Sequence, residues 1–323
     1  MFNTCALNER MEQVAGRNPD ISIIIISKGS ESLFTLLEEL RRQKCSFLYE
    51  VLVIANGEVG RERVLSYGAR VISAPEGRGI PYYRNIGLKE AAGRVVAMID
   101  DDEVPEHDRW LEMLTVSILS GEEKVTVSET HIPEGQGYLA DLISSLGFPG
   151  GGSLGWRKIW TVDENGYTDR FATGNGAVER DLALSVGFEE ALKHGAEDIL
   201  FGERLIEMGE RIKFVEEARV IHSPRKRISE FILWQVRRGR SVYELRKIRP
   251  LRSFSRDHVG GRIKRTLFIL RNAEGHKKLP ILFLLALEFA SQFVGYVYAW
   301  LVDRGRSGRE GLCDSYQKGK ILS

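Results

Sequence analysis

The sequence predicts a doubly wound α/β fold, in which a mostly parallel sheet is flanked by helices on both faces. Short runs rich in Val and Ile recur without polar alternation, which is typical of parallel strands covered on both faces. Segments with apolar residues at helical spacing separate these runs, as βαβ units require. A row of carboxylates directly follows the fourth run, at the strand end where ligands bind in such sheets.

The individual elements follow from the same patterns. The predicted strands cover residues 21–26, 50–55, 69–74 and 94–99. Between the first two strands, Leu33 and Leu37 lie at helical spacing and predict a helix with a basic last turn. Residues 82–93 predict a second helix, and a third is expected to begin at Pro105 because proline favours the first helical position. Residues 213–222 predict one further strand.

The composition limits the class of protein. With 323 residues, of which 43% are hydrophobic and 28% charged, the chain can bury a full core and is too polar to lie within a membrane throughout. Its three cysteines are widely spaced and form no CxxC pair, so neither a disulfide framework nor a zinc site is indicated. Residues 1–20, predicted to be an N-terminal extension, lack the apolar stretch of a secretory signal, and we expect this end to stay in the cytoplasm.

The net charge of +1 conceals an asymmetry along the chain. Residues 1–224 carry 24 Lys and Arg against 37 Asp and Glu, whereas residues 225–280 carry 17 against 4. This basic arm interleaves Arg and Lys with aromatic residues and Leu, which favours a helix on an anionic membrane; a solvated face docked on the acidic body is the alternative. No nucleic-acid-binding module accompanies the charge, so nucleic acid is not an expected partner. The predicted regions are an α/β body at 21–224, a basic helical region at 225–278, an apolar helix at 279–302 and a polar tail at 303–323.

The apolar helix is long enough to cross a bilayer and contains one formal charge, Glu288. Glu288, Ser291, Gln292 and Gly295 fall on one stripe of this helix. The helix could therefore span the membrane, lie at its surface, or pack the polar stripe against a partner. Because basic residues precede the helix, we expect the α/β body on the cytoplasmic face of the membrane.

The row of carboxylates runs from Asp100 to Glu103. Carboxylates this close repel one another unless a cation or hydrogen-bond donors offset their charge. A hard divalent ion such as Mg²⁺ or Mn²⁺ takes one or two carboxylates and completes its shell with water and substrate phosphates. The row therefore indicates a phosphate-bound metal site; a solvated turn that caps the helix expected at Pro105 is the alternative.

Three stretches carry a family resemblance. They are ISIIIIS at the first strand, RGIPYYRNIGLKEAAGRVVAMIDDDEVP in the middle, and TGNGAVERDLALSVGFEE followed by AEDILFGERLIEMGERIKFVEEARVIH. In this order, over roughly residues 21–222, they resemble the GT-A glycosyltransferases, and most closely the inverting family 2 enzymes. The resemblance implies a GT-A (Rossmann-like) sheet, a nucleotide-sugar donor and a hydroxyl acceptor.

The resemblance also implies roles for individual residues. Asp198 corresponds to the general base, which takes the proton of the acceptor hydroxyl, and Glu197 is its partner in the ED pair. Asp102 and His222 correspond to residues at the metal. The donor-side residues are Asp100, Asp101, Arg84, Asn85, Asn56 and Ser27. The acceptor-side residues are Gly174, Asn175, Gly176, Gln235 and Arg238.

Structural alternatives exist for several of these residues. Arg84 could pair with the acidic row, Asn85 could brace a turn, and Glu197 with Asp198 could stabilise the dipole of a helix. The turn Ala55–Glu58 replaces the family's aspartate-rich turn that reads the donor base, and so leaves the nucleotide open. Gly239 replaces the tryptophan of the family's QxxRW motif, which argues against a processive polysaccharide synthase.

The function predicted from the sequence is a membrane-associated, metal-dependent, inverting glycosyltransferase. Its acceptor would be a lipid-linked species or a growing surface glycan. A nucleotidyltransferase shares the acidic metal site, but residues 27–32 make a poor phosphate loop. A catalytically silent membrane scaffold of the same fold is the alternative outside enzymes.

Overall fold

The computed structural model describes residues 18–249 and 263–319, with side chains as far as residue 304. Most of the predicted N-terminal extension, part of the basic region and most of the polar tail's side chains lie outside this description. The described residues separate into two compact units: one comprises residues 18–193 and 197–226, and the other comprises residues 194–196 and those from 227 onwards.

The first unit is an α/β fold, and the predicted fold class is confirmed. Its strands are β1 (Ile21–Ser27), β2 (Tyr49–Ala55), β3 (Arg70–Ser73), β4 (Val95–Ile99), β5 (Glu103–Pro105), β6 (Val125–Val127), β7 (Thr130–His131), β8 (Gly151–Gly152), β9 (Tyr167–Thr168), β10 (Asn175–Glu179), β11 (Ile212–Phe214) and β12 (Val220–His222). Its helices are α1 (Glu31–Arg41), α2 (Arg61–Ser66), α3 (Ile80–Glu90), α4 (Trp110–Ser120), α5 (Tyr138–Ser144), α6 (Trp156–Ile159), α7 (Arg180–Val186) and α8 (Glu197–Glu207).

Eight strands form the main sheet, in the order β3-β2-β1-β4-β10-β6-β11-β9. The strands β3, β2, β1 and β4 are parallel neighbours, and β10 is antiparallel to β4. Within β1, Ile23 and Ile25 pack with α1 and α4 on one face, while Ile24 packs with Leu88 of α3 on the other. Because helices cover both faces of this sheet, side chains on either face of β1 are buried, which explains the unbroken run Ile23–Ile26.

The smaller sheet has the order β5-β12-β7-β8 and corrects two sequence-based predictions. No helix begins at Pro105, which ends β5 and aligns with Val220 of β12; the helix begins at Trp110. Residues 213–222 do not form one strand, because β11 joins the main sheet whereas β12 joins the smaller one. Both errors have the same cause: the backbone partner of each segment lies about a hundred residues away in sequence.

The second unit is helical. It contains α9 (Ile228–Ile248), α10 (residues 263–272), a short 3-10 turn (Gly275–Lys277) and α11 (Lys278–Gly319). Two glycines allow α9 and α11 to approach closely: a Cβ on Gly239 would lie 1.9 Å from the carbonyl oxygen of Gln292, and one on Gly295 would lie 2.0 Å from that of Val236. Glycine at these two positions therefore permits the close packing of α9 against α11.

The predicted polar stripe of the apolar helix is buried within this unit. Glu288, fully buried, forms an ion pair with Arg265 of α10 at 2.7 Å. The side-chain amide of Gln292 donates to the side-chain oxygen of Gln235 on α9 at 2.7 Å. Within the described residues, Gly275–Arg304 is the one helical segment whose length and composition would suit a membrane span, with a mean hydropathy of 1.6.

Candidate active site

The candidate site lies at the carboxyl ends of β1, β2 and β4, which are neighbours in the main sheet. Ser27 is the last residue of β1, Asn56 follows β2 and Asp100 follows β4. Because these strands are parallel, their carboxyl ends meet at one edge of the sheet. The structure therefore brings these three predicted donor-side residues to the same edge.

Asp101 is held by two hydroxyl groups. Ser27 donates a hydrogen bond to Oδ2 of Asp101 at 2.6 Å, and Ser30 donates to the same oxygen at 3.0 Å. Burial raises the pKa of Asp101, these hydroxyl groups oppose the rise, and the adjacent carboxylates of Asp102 and Asp100 add to it. The middle carboxylate of the row thus ties the end of β4 to the end of β1.

Asn56 contacts a tyrosine that the sequence analysis did not identify. The buried hydroxyl group of Tyr83 lies 2.7 Å from Oδ1 of Asn56 and 2.9 Å from the carbonyl oxygen of Pro75, and it accepts a hydrogen bond from the backbone N–H of Arg78 at 3.2 Å. Tyr83 directly precedes Arg84 in the stretch YYRN, and this position beside a predicted site residue is the sequence feature that could have indicated it. It fixes the turn after β2 and the loop before α3.

Asp102 and His222 form the pair predicted to lie at a metal. Nε2 of His222, whose side chain is nearly buried, lies 3.1 Å from Oδ2 of Asp102, whose side chain is 49% exposed. Burial acts to raise the pKa of Asp102, but the hydrogen bond from His222, its charge and that of Arg225 outweigh burial and lower this pKa. The carboxylate is therefore ionised at neutral pH and accessible from solvent.

This pair fits a divalent ion whose shell is completed by other groups. No cluster of three or more His, Cys, Asp or Glu side chains that could hold a metal occurs in the part of the chain that the structure describes. One carboxylate and one imidazole leave most positions of a six-coordinate ion to phosphate and water oxygens, as is usual for Mg²⁺ and Mn²⁺. The imidazole nitrogen favours Mn²⁺ of the two.

Glu103, the fourth carboxylate of the row, turns away from the site into the interior. Its Oε1 accepts a hydrogen bond from the hydroxyl group of Thr130 at 2.9 Å, and its side chain is buried. Burial raises its pKa well above the ordinary value, and the charges of Asp100 and Asp102 raise it further. The row is therefore not a uniformly solvated turn. Asp100, Asp101 and Asp102 lie at the edge of the sheet, whereas Glu103 is buried beneath that edge.

Arg84 joins the acidic row to the ED pair. Its buried guanidinium group donates to Oδ1 of Asp100 at 3.0 Å and to the carbonyl oxygen of Thr173 at 3.3 Å. Its Nε lies 3.7 Å from Oε1 of Glu197. Pairing with the acidic row, the structural alternative given for Arg84, is observed, and the same side chain reaches the start of α8.

Glu197 and Asp198 occupy the first turn of α8. Burial raises the pKa of Glu197 to about 7, and the charge of Asp198 adds to this rise while that of Arg84 opposes it. Asp198 is half-buried and accepts a hydrogen bond from the backbone N–H of Ile199 at 2.8 Å. The two carboxyl groups therefore differ: one is buried beside a cation, and the other is partly exposed at the helix N-terminus.

Other predicted site residues serve the structure around the site. Asn85 donates to the carbonyl oxygen of Phe188 at 2.9 Å and to Glu190 at 3.0 Å, so it braces the segment after α7. The fully buried Asn175 donates to two carbonyl oxygens and accepts from Trp110 at 2.9 Å. These amide groups hold the backbone around the site in place.

The remaining acceptor-side predictions divide between the two units. Gly174 lies against the carboxyl group of Glu103, where a Cβ would be 2.7 Å from Oε2, and a Cβ on Gly176 would be 2.9 Å from the ring of Phe171. Gln235 and Arg238 belong to the second unit. Gln235 is fully buried in helix packing, and the guanidinium group of Arg238 lies 5.2 Å from the centre of the Trp234 ring.

Comparison with known families gives the class of this site. Residues 22–162 match the model of glycosyl transferase family 2. This segment is therefore similar to the family 2 glycosyltransferases. The matched segment contains the acidic row, Arg84 and the Ser27–Asp101 pair, whereas the ED pair and His222 lie beyond its end.

Individual proteins resemble this segment and the residues around it. A glucosyl-dolichyl phosphate glucuronosyltransferase of Haloferax volcanii is 30% identical over 163 residues, which cover 46% of this chain and 48% of that protein. The matched stretch is therefore about half of that relative. A mannosyltransferase of Pyrobaculum calidifontis, solved with GDP-Man and Mn²⁺, superimposes with a TM-score of 0.52 at 15% identity, over 95% of this chain and 82% of its own. A mycobacterial protein gives a TM-score of 0.50 at 20% identity, over 74% of this chain and 77% of its own. The two solved structures share the α/β fold of this chain.

Proposed function

We propose that the protein transfers a sugar from a nucleotide donor to a hydroxyl group. The observation that carries this proposal is the position of Arg84, whose guanidinium group contacts both Asp100 of the acidic row and Glu197 of the ED pair. The acidic row, where the diphosphate and its metal would bind, thereby lies beside the first turn of α8, which carries the proposed base Asp198. Glycosyl transfer needs the diphosphate site and the general base close enough for a bound donor and acceptor to contact both.

The metal would be held by Asp102 and His222, with the donor diphosphate and water as its other ligands. When bound, the ion supplies charge stabilisation for the departing diphosphate. Asp198 accepts the proton of the acceptor hydroxyl, and a direct displacement of this kind inverts the anomeric carbon. Ser27, Asn56 and Asp101 shape the pocket for the nucleoside, and Arg84 holds Asp100 toward it.

The acceptor that we propose is lipid-linked, and the chain acts at the cytoplasmic face of a membrane. The name of the Haloferax volcanii relative specifies a dolichyl phosphate substrate, which supports this class of acceptor. The apolar face of α11 and the basic residues of α9 support attachment to an anionic surface. The basic helices and the apolar helix accordingly form the membrane-binding region.

Calorimetric titration of the full-length protein in detergent tests the donor site. The titrants are UDP-glucose, UDP-glucuronic acid and GDP-mannose, each with and without Mn²⁺. We expect Mn²⁺ to tighten the binding of at least one of them about 10-fold or more, and Asp102→Asn to remove this gain.

Glu164→Gln is the matched control, because Glu164 is an exposed carboxylate on a distant turn and its loss should change nothing. If no sugar nucleotide binds with or without metal, the proposed function is wrong. Metal-dependent binding of free nucleoside triphosphates alone would instead favour the nucleotidyltransferase alternative.

A further inference from the structure

The three residues that precede the ED pair belong to the second unit and are held there by α9. Glu244 of α9 accepts two hydrogen-bonding contacts from His194: the backbone N–H lies 3.1 Å from Oε2, and Nδ1 of the imidazole lies 2.5 Å from Oε1. The carbonyl oxygen of His194 accepts from Nε of Arg237 at 3.2 Å. The backbone N–H, the carbonyl group and the ring of His194 are thus all bound by one helix.

The contacting residues of α9 lie on one face. Arg237, Ser241 and Glu244 are spaced at i, i+4 and i+7, which places them along a single stripe of the helix. Ser241 lies beneath Gly195, where a Cβ would be 3.7 Å from that of the serine. We refer to His194 and its three partners on α9 as the His194 clamp.

The residue between the clamp and the ED pair has an unusual backbone. Ala196 has a φ of 68°, and it is the one non-glycine residue with positive φ in the part of the chain that the structure describes. L-residues with a Cβ rarely adopt this conformation, and it persists where the surrounding contacts fix it. The next residue is Glu197, so the direction in which α8 begins depends on the backbone of Ala196.

We propose that Glu244 is a positioning residue for Asp198. By holding His194, it fixes the left-handed turn at Ala196 and hence the direction of the first turn of α8, which carries the base. This inference rests on the proposed function for the role of Asp198, but the clamp itself is defined by contacts within the second unit.

Hydrogen–deuterium exchange of the full-length protein in detergent tests the clamp without any substrate. Glu244→Ala should raise exchange at the amides of residues 195–201 by about 10-fold or more, because their turn loses its anchor. Glu244→Gln keeps an acceptor for the N–H and a partner for the ring, and should stay close to the unchanged protein. Glu230→Ala, at an exposed position on the same helix, is the control.

A second substitution separates positioning from general support. Glycine adopts positive φ readily, so Ala196→Gly should restore part of the protection when combined with Glu244→Ala. The same order of variants is expected in kcat for hydrolysis of a bound nucleotide sugar, with a loss of about 10- to 100-fold for Glu244→Ala at unchanged donor Kd.

Three results would overturn the inference: unchanged exchange at residues 195–201 in Glu244→Ala, an equal rise throughout α9, or no recovery with glycine at position 196. The exchange pattern could be as expected while neither the unchanged protein nor any variant acts on a nucleotide sugar. In that case the role of the His194 clamp is supported and the proposed function is wrong.

Discussion

At the scale of single residues, the ionisation of Glu197 makes the free energy of unfolding depend on pH. Its folded-state pKa of about 7 lies above the value of 4.5 expected in the unfolded chain, so between these pH values the folded state keeps a proton that the unfolded state has released. The free energy of unfolding therefore falls as pH rises through this window, by up to about 3 kcal/mol at 1.4 kcal/mol per unit of pKa.

Glu197→Gln removes this titration. We expect the stability of the variant relative to the unchanged protein to increase from pH 4.5 to pH 7 and to level off above pH 7. Urea unfolding at pH 5, 6, 7 and 8 measures the difference. Parallel profiles for the two proteins would mean that Glu197 ionises normally in the folded state.

Asp198→Asn tests the proposed base. The amide keeps the size of the side chain and its hydrogen bond to the N–H of Ile199, but it cannot take a proton. We expect donor binding with Mn²⁺ to be unchanged and the rate of sugar transfer to fall by about 10²- to 10⁴-fold. An equal loss of donor binding and of transfer would assign Asp198 to the donor pocket, and an unchanged rate would place the base elsewhere.

At the scale of elements, the packing of α9 against α11 depends on Gly239. Because a Cβ there would meet backbone at 1.9 Å, Gly239→Ala must push the two helices apart and disturb the bond between Gln235 and Gln292. We expect a loss of about 1 to 3 kcal/mol, the usual cost of overpacking, together with faster proteolysis of the second unit.

Gly275→Ala is the matched control, since a Cβ at Gly275 meets no atom within 4 Å. Limited proteolysis and thermal unfolding in detergent compare the two variants. Equal proteolysis rates and equal unfolding temperatures for the two variants would show that the close approach at Gly239 does not contribute to stability. The same contact explains why glycine stands where the QxxRW pattern has tryptophan.

At the scale of the whole molecule, an apolar face of α11 remains exposed within the second unit. The side chains of Phe283 and Val294 are 63% and 57% exposed on it, while the polar stripe of the same helix is buried. Removing α11 would expose the packing face of α9, so substitutions in the full chain test membrane binding more cleanly than truncation does.

Phe283→Glu combined with Val294→Glu should weaken binding to anionic vesicles at least about 100-fold, because each carboxylate costs about 2.5 to 3.5 kcal/mol on insertion scales. Tyr138→Glu, at an exposed aromatic position in the first unit, is the control and should bind as before. Flotation with vesicles measures the effect. If the double variant instead loses self-association while vesicle binding is unchanged, the face belongs to a second copy of the chain.

The residue pattern was enough to predict the four parallel strands β1 to β4, the helices α1 and α3 and the acidic edge of the sheet. The run Ile23–Ile26 could be interpreted because burial on both faces of a sheet removes polar alternation along the strand. The ED pair and the row at Asp100 could be found because each is a contiguous motif. In the same way, the polar stripe of α11 follows from helical spacing.

Contacts between residues distant in sequence determine which polar groups face the site. Glu103 and Asp102 are adjacent in sequence, yet one is buried beneath Thr130 and the other is exposed beside His222. The side-chain amide of Asn175 forms hydrogen bonds with backbone carbonyl groups and with Trp110. Pro105 ends a strand because it pairs with β12. In each case the deciding partner lies 27 to about 120 residues away in sequence. Burial and hydrogen bonding are set by such distant partners, whereas local sequence sets only periodicity and backbone preference.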